Sequence, residues 1–221
     1  MKRKLLLHKL FIALPILIFM AVYMVWFGAV ERTDFSQCTE IHCALDEKIP
    51  FCEYFIVPYL LWFLFVAAGA VYQLFADEKE FRELCAVLMS GMFVFLVLSS
   101  MFPNILFLRP EELPRDNVFC RMVERLYATD TPTNVMPSIH VYNTLAILFS
   151  VFRSQGRIAG KTAVKAGCTV LSVSIILATM LLKQHSVMDV TGAFIMFAVF
   201  QTLFIKVFSS EEESEKALMT A

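Results

Sequence analysis

The chain has 221 residues, of which 58% are hydrophobic and 18% are charged, and its formal net charge is −1. A soluble domain of this length is less apolar and carries about a quarter charged residues, so this composition excludes an ordinary soluble globular domain. A net charge near zero gives no case for a nucleic acid partner. The six cysteines contain no C-x-x-C pair that would indicate a zinc or redox site. We therefore predict an all-α, polytopic membrane helix bundle.

Six apolar runs are interrupted only by short charged segments. A helix needs roughly 20 such residues to cross about 30 Å of hydrocarbon. We predict about six transmembrane helices in a single membrane domain, at residues 10–30, 54–76, 84–108, 137–152, 166–182 and 186–205. The first run also resembles a signal peptide, but it is long and no A-x-A cleavage site follows it. The polar residues 209–221 are expected to be a solvated or disordered tail.

Lys and Arg are more numerous on one side of these helices than on the other. The richer side comprises the N-terminus, residues 76–83, residues 153–165 and the C-terminal tail. Because cytoplasmic loops carry the excess of positive charge, we predict cytoplasmic termini in a plasma membrane protein. The loop of residues 110–133 then lies outside. Within it, residues 117–127 have apolar side chains at helical spacing, which predicts a short amphipathic helix at the interface.

Three polar segments contain residues that could carry out chemistry at the edge of the membrane. The first is Arg109-Pro110, which follows the third apolar run. The guanidinium of Arg109 is always charged, and its planar fork of donors suits phosphate oxygens. The alternative is an interfacial arginine whose head reaches the water.

The second segment is Pro137-Ser138-Ile139-His140, at the start of the fourth predicted helix. Pro137 suits the first position of a helix, where its missing N–H is not needed. The free N–H groups of a first turn favour an anion, and Ser138 adds a hydroxyl donor. His140 exchanges a proton near neutral pH. The alternative is an ordinary helix start with an interfacial histidine.

The third segment runs from Lys183 to Asp189 and includes His185. On a helix, His185 and Asp189 lie on one face because they are four residues apart. An aspartate that accepts from one imidazole nitrogen fixes the tautomer and leaves the other nitrogen free as nucleophile or base. Lys183 adds a cation. The alternative is a structural His–Asp pair.

The predicted topology places all three segments on the outer face. Two cations, two imidazoles, a hydroxyl and one acid then converge, and this set suits phosphoryl transfer. Cations and N–H donors hold the phosphate oxygens, one histidine attacks, and the other protonates the leaving group.

The order R-P, P-S-x-H and K-Q-H-x-x-x-D resembles the type 2 phosphatidic acid phosphatase superfamily. The resemblance covers residues 102–197 and is nearest to the branch with inositol phosphorylceramide synthase-like proteins. The usual motifs of the family are K-x6-R-P, P-S-G-H and S-R-x5-H-x3-D. Two of its basic ligands are missing here, because Phe102 and Thr179 occupy their positions, and Ile139 replaces the glycine.

The resemblance implies a metal-free lipid phosphatase. His185 would be the nucleophile, Asp189 would orient it, and His140 would protonate the leaving alkoxide. Three further residues would hold phosphate, namely Arg109, Ser138 and Lys183. No cofactor is expected, and the substrate would be a lipid phosphate or phospholipid drawn from the bilayer.

Several alternatives remain open from the sequence. The same phosphohistidine step would serve a lipid head-group phosphotransferase, in which an alcohol such as inositol replaces water. His140, His185 and Asp189 could instead form a two-histidine, one-carboxylate metal site, although neighbouring cations argue against it. A transporter or a non-catalytic lipid-binding protein is the remaining class. The outer cysteines could form one or two disulfides or remain free thiols, and they are Cys38, Cys43, Cys52 and Cys120.

Overall fold

The computed structural model describes residues 2–154 and 156–220, with side chains described for 3–154 and 156–210. Seven α-helices make up most of it and confirm the all-α class. The α-helices are α1 Lys2–Val30, α2 Ile56–Ala76, α3 Glu78–Met101, α4 Val118–Thr129, α5 Ile139–Arg153, α6 Thr162–Leu181 and α7 Val187–Thr220. Three 3-10 turns and two short strands complete the described part, namely Phe35–Gln37, Asp46–Lys48, Glu53–Phe55, β1 Thr39–Glu40 and β2 Asn104–Ile105.

Five helices are long and apolar enough to cross a membrane, namely α1, α2, α3, α6 and α7. The fourth predicted span corresponds to α5, which has only 15 residues and a length of about 22 Å. Helix α5 packs against α2, α3, α6 and α7, and most of its apolar side chains are buried. It is therefore the enclosed core of the bundle, and its apolar character reflects packing against protein.

The third predicted helix was placed at residues 84–108, and its bounds were wrong at both ends. Helix α3 begins at Glu78 because the carboxylate of Asp77 accepts hydrogen bonds from the N–H groups of Lys79 and Glu80. It ends at Met101 because the residue before Pro103 is disfavoured in a helical conformation. The chain then forms β2, which pairs in parallel with β1.

Other helix boundaries also differ from the prediction. Pro137 was predicted at the first position of its helix, but Ser138 is the N-cap and α5 begins at Ile139. Helix α1 begins at Lys2, so the basic N-terminal residues are helical as well. Helix α7 continues through the acidic segment to Thr220, whereas residues 209–221 were predicted to be solvated or disordered.

The ends of α1, α3 and α6 and the starts of α2, α5 and α7 lie together on one face of the bundle. Hydrogen bonds join them across the sequence: Asn134 Nδ2 donates to the carbonyl of Val30, and the Cys52 N–H donates to the carbonyl of Leu181. The amphipathic helix predicted at residues 117–127 is α4, and it packs against α2 on this same side. We call this side the loop face.

A close approach of α3 and α5 holds the core together. The buried ring of Tyr142 lies directly on Gly91, and its hydroxyl donates to the carbonyl oxygen of Val87 at 2.7 Å. A Cβ at Gly91 would lie only 2.1 Å from the Tyr142 ring. The contact therefore requires glycine at this position, as is common where membrane helices approach closely.

We expect Gly91→Ala to lower the free energy of unfolding by about 1–3 kcal/mol, because the added methyl group forces the Tyr142 ring out of place. Gly167→Ala is the matched control, since a Cβ there meets no atom within 4 Å. Thermal unfolding of the two purified variants checks this. Equal unfolding midpoints would contradict the packing described here.

Candidate active site

The turn between α6 and α7 holds the predicted His–Asp pair. Asp189 Oδ2 lies 3.3 Å from His185 Nδ1 and accepts from the Ser186 N–H at 2.8 Å. The Met188 N–H donates to Ser186 Oγ at 3.1 Å. Ser186 and Asp189 therefore form a reciprocal capping box at the start of α7. His185 lies just before α7, and no described hydrogen bond engages its Nε2.

The second imidazole lies opposite the first. The His140 ring is in the first turn of α5, with its centroid 5.7 Å from that of His185. Tyr59 and Trp62 of α2 contact the His140 ring, with centroid distances of 4.7 Å and 4.3 Å. Trp62 Nε1 also donates to the His140 carbonyl at 3.1 Å. Two aromatic side chains thus fix the position of His140.

Arg109 reaches the site through Gln184. Its Nη1 donates to the carbonyl oxygens of Asp130 at 2.8 Å and Tyr127 at 3.3 Å, and its guanidinium lies over the Tyr127 ring. Its Nη2 donates to Gln184 Oε1 at 2.6 Å. Because Gln184 directly precedes His185, Arg109 is the cation that is bonded to the histidine-bearing turn.

Ser138 joins the two histidine-bearing segments. Its N–H donates to the carbonyl oxygen of Asp189 at 3.2 Å, while its Oγ accepts from the Val141 N–H at 3.4 Å. The residue is fully buried. Oγ acts here as the N-cap acceptor of α5, and the role of Ser138 as a phosphate ligand stays a prediction.

Lys183 is placed differently from its predicted role as a phosphate ligand. Its φ of 54° puts the backbone in the left-handed region. Its ammonium donates to the carbonyl oxygens of Asp46, at 2.8 Å, and Ile49. Among the described contacts none joins this ammonium to Arg109 or to either histidine. Lys183 therefore stabilises the loop before α2.

Asp46 is a residue of this face that the sequence did not indicate. It is 1% exposed, and its carboxylate accepts from Ser186 Oγ at 2.7 Å, the Val187 N–H at 2.8 Å and the Cys43 N–H at 2.9 Å. It thereby attaches the loop before α2 to the start of α7. No local pattern marks a lone acid in this loop, because its partners lie far away in the sequence.

Another acidic residue of the loop face, Asp130, lies close to Arg109. Asp130 accepts through its backbone carbonyl from Arg109 and through Oδ2 from the Tyr59 hydroxyl at 3.4 Å. Burial raises the pKa of the Asp130 carboxyl, whereas the positive charge of Arg109 acts to lower it. Tyr59 therefore connects this acid to the ring of His140.

Two alternatives left open by the sequence concern the cysteines and a metal site. All six cysteines are free thiols. Among the described residues, no group of three or more His, Cys, Asp or Glu side chains is arranged to hold a metal ion. The carboxylate of Asp189 is bonded to His185 itself, so the alternative metal set gains no support from the geometry.

We expect Asp46→Asn to lower the free energy of unfolding by about 1–3 kcal/mol, because a buried amide cannot accept all three hydrogen bonds that the carboxylate accepts. Glu47→Gln is the matched control, since its side chain is 74% exposed. Thermal unfolding compares the two. An Asp46→Asn protein as stable as the control would contradict the role of Asp46.

The stability that the hydrogen bonds of the Asp46 carboxylate provide should depend on pH. Burial raises the pKa of the Asp46 carboxyl, but hydrogen bonds from Ser186, Val187 and Cys43 outweigh burial and hold this pKa below its usual value. Its contribution to stability is thus fully present above the ordinary aspartate pKa of about 3.9 and is lost as the pH falls through the lowered value.

We therefore expect the difference in unfolding midpoint between wild type and Asp46→Asn to stay constant at neutral pH and to shrink below about pH 4. Thermal unfolding across a pH series measures this difference. A difference that grows on acidification would show that the Asp46 pKa is raised in the folded state.

Comparison with known proteins adds no assignment. No protein-family model, no curated protein and no solved structure matches the chain. The resemblance to the type 2 phosphatidic acid phosphatase superfamily therefore stays a prediction.

Proposed function

We propose that this chain is an integral membrane phosphatase that hydrolyses a lipid phosphate through a phosphohistidine on His185. One observation carries the proposal. An imidazole with its Nδ1 held by a buried carboxylate faces a second imidazole 5.7 Å away, measured between ring centroids, beside an arginine bonded to the same turn. This arrangement supplies a nucleophile, an acid and an anion-binding group at one place.

The first chemical step uses both histidines. His185 Nε2 attacks phosphorus, since Nδ1 is engaged by Asp189 and the free nitrogen carries the lone pair. The bond between phosphorus and the ester oxygen breaks, and His140 gives its proton to the departing alkoxide. Asp189 stabilises the positive charge that develops on the His185 ring.

The second step restores the enzyme. His140, now neutral, takes a proton from water as that water attacks phosphorus. The P–N bond breaks, inorganic phosphate leaves, and His185 returns to its starting form. The phosphoryl oxygens have the same donors in both steps, namely Arg109, the Ser138 hydroxyl and the first N–H groups of α5. No step needs a cofactor.

The surroundings of the site suit a lipid. Met101, Phe102 and Phe107 border the loop face and are each 64% exposed. Large apolar side chains with this exposure at the end of a membrane helix are compatible with contact to acyl chains. We place the site on the outer face of the plasma membrane, following the distribution of Lys and Arg in the sequence.

The test is phosphate release from a panel of lipid phosphates by the purified protein. Wild type should release phosphate, and His185→Ala should fall to the background rate, because removing a nucleophile abolishes the covalent step. His8→Ala is the matched control, since its exposed ring pairs with Glu78 at the start of α3, at the end of the bundle opposite the loop face. Release that survives in His185→Ala would contradict the proposal.

The number of cations at the proposed site favours a second candidate function, transfer of a phospholipid head group. Arg109 is the cation bonded to the proposed site in the described residues, because Lys183 is held by loop carbonyls. Phosphate monoesters lose a second proton near pH 6 and are largely doubly charged at neutral pH, whereas a diester carries one charge. One cation balances a diester better. The chain could then transfer the head group of a phospholipid to an alcohol.

Product analysis with and without a polyol such as inositol separates the two candidates. Transfer of the phosphorylated head group to inositol predicts that a diester lipid is converted to diacylglycerol and a water-soluble inositol phosphodiester only when the acceptor is present. Consumption at the same rate without the polyol, with hydrolysis products only, would contradict transfer and leave the phosphatase.

A further inference from the structure

Two buried side-chain nitrogen atoms in the described residues lack a hydrogen-bond partner, and they belong to neighbouring side chains. They are Arg109 Nε and Gln184 Nε2. The two side chains are bonded to each other through Arg109 Nη2 and Gln184 Oε1 at 2.6 Å. A buried N–H without an acceptor destabilises the folded protein. Two such donors side by side therefore indicate a place for a ligand with several acceptor oxygens.

The orientation of the Gln184 amide is determined by Arg109. A guanidinium offers only donors, so the atom that faces it must be the amide oxygen. Turning the amide over would place its NH₂ group against the N–H groups of Arg109. Gln184 Nε2 is consequently the end directed away from that hydrogen bond. The residue is 3% exposed, so bulk water does not readily serve this donor.

The two donors lie next to the proposed reaction. The backbone N–H groups of Gln184 and His185 both donate to the carbonyl oxygen of Thr179 at 3.0 Å, which fixes the two residues in one tight turn. Arg109 is held from the other side by the carbonyl oxygens of Tyr127 and Asp130. Both side chains are thus restrained before any ligand binds, as a preorganised anion site requires.

We propose that Gln184 Nε2 and Arg109 Nε together bind the phosphoryl oxygens of the substrate, so that a neutral amide takes the place of a second cation. This inference rests on the proposed phosphohistidine chemistry and, because it names a phosphodiester as the ligand, it favours the second candidate, head-group transfer. Asp130 and Glu31 already contribute two carboxyl groups near Arg109. A phosphoryl group with a single negative charge, as in a phosphodiester, balances these charges better than a doubly charged monoester.

Two substitutions of Gln184 are compared. Gln184→Glu keeps the size of the side chain and still offers an oxygen to Arg109 Nη2, but it removes the N–H donor and adds a negative charge that itself weakens phosphate binding. Gln184→Met removes the donor without adding a charge, and the carbonyl oxygens of Tyr127 and Asp130 still hold Arg109. If Gln184 only positioned Arg109, Gln184→Met would bind phosphate lipids as before. If Gln184 Nε2 binds the phosphoryl group, affinity falls in both variants.

The experiment measures binding of two soluble short-chain lipids by calorimetry, with dihexanoyl phosphatidylglycerol as the diester and dihexanoyl phosphatidic acid as the monoester. The protein carries His185→Asn, which cannot form a phosphohistidine and leaves the lipid intact. We expect both Gln184 substitutions in this background to weaken diester binding about tenfold or more, with no fall in the unfolding midpoint of Gln184→Glu. Gln37→Glu, an exposed position in the loop before α2, controls for added negative charge.

Each outcome decides one question. Binding that Gln184→Met leaves unchanged would overturn the role of Gln184, while phosphate release by wild type would still support the phosphohistidine proposal. Tighter binding of the monoester than of the diester would overturn the assignment of a singly charged ligand. Binding of neither lipid by the His185→Asn protein would overturn the phosphate site itself.

Discussion

A polar group inside an apolar helix bundle needs a partner, because neither lipid nor packed side chains can replace the water it has lost. This constraint organises the loop face. The carboxylate of Asp46 and the ammonium of Lys183 bind groups that lie far away in the sequence. Each bond attaches a loop to the α6–α7 turn. The position of His185 thus depends on hydrogen bonds made by residues that take no part in the proposed chemistry.

The sequence predicted the helix bundle well because lipid imposes long runs of apolar residues. It failed where local chemistry sets a boundary. The Asp77 cap and the position before Pro103 moved both ends of α3, and Ser138 acts as the cap of α5 where Pro137 was expected to start it. The capping box at Ser186 was a readable signal, and it would have placed the start of α7 at Val187.

The candidate site was predictable only in part. The spacing of His185 and Asp189 was enough to predict that the two side chains meet. An acid in the first turn of a helix can reach back to the residues that precede the helix. No sequence pattern marked Tyr59 and Trp62 as neighbours of His140, since these contacts arise from the packing of α2 against α5. Three residues of the first 80 shape the site although no motif marks them, namely Asp46, Tyr59 and Trp62.

One site could serve either hydrolysis or transfer. Both reactions share the phosphohistidine, and they differ in whether water or an alcohol reaches it from the side of His140. The aromatic contacts of Tyr59 and Trp62 restrict the movement of that ring. The choice of acceptor would then depend on what the loop face admits beside His140, and not on the nucleophile itself.

The central claim is that His185 becomes covalently phosphorylated. The most direct measurement is mass spectrometry of peptides from His140→Ala protein treated with an activated phosphate ester. Such a leaving group needs no proton from His140, whereas breakdown of the intermediate lacks its base. The account predicts that phosphate accumulates on His185. Phosphate on another residue, or unmodified His185 in a protein that still turns over the ester, would contradict it.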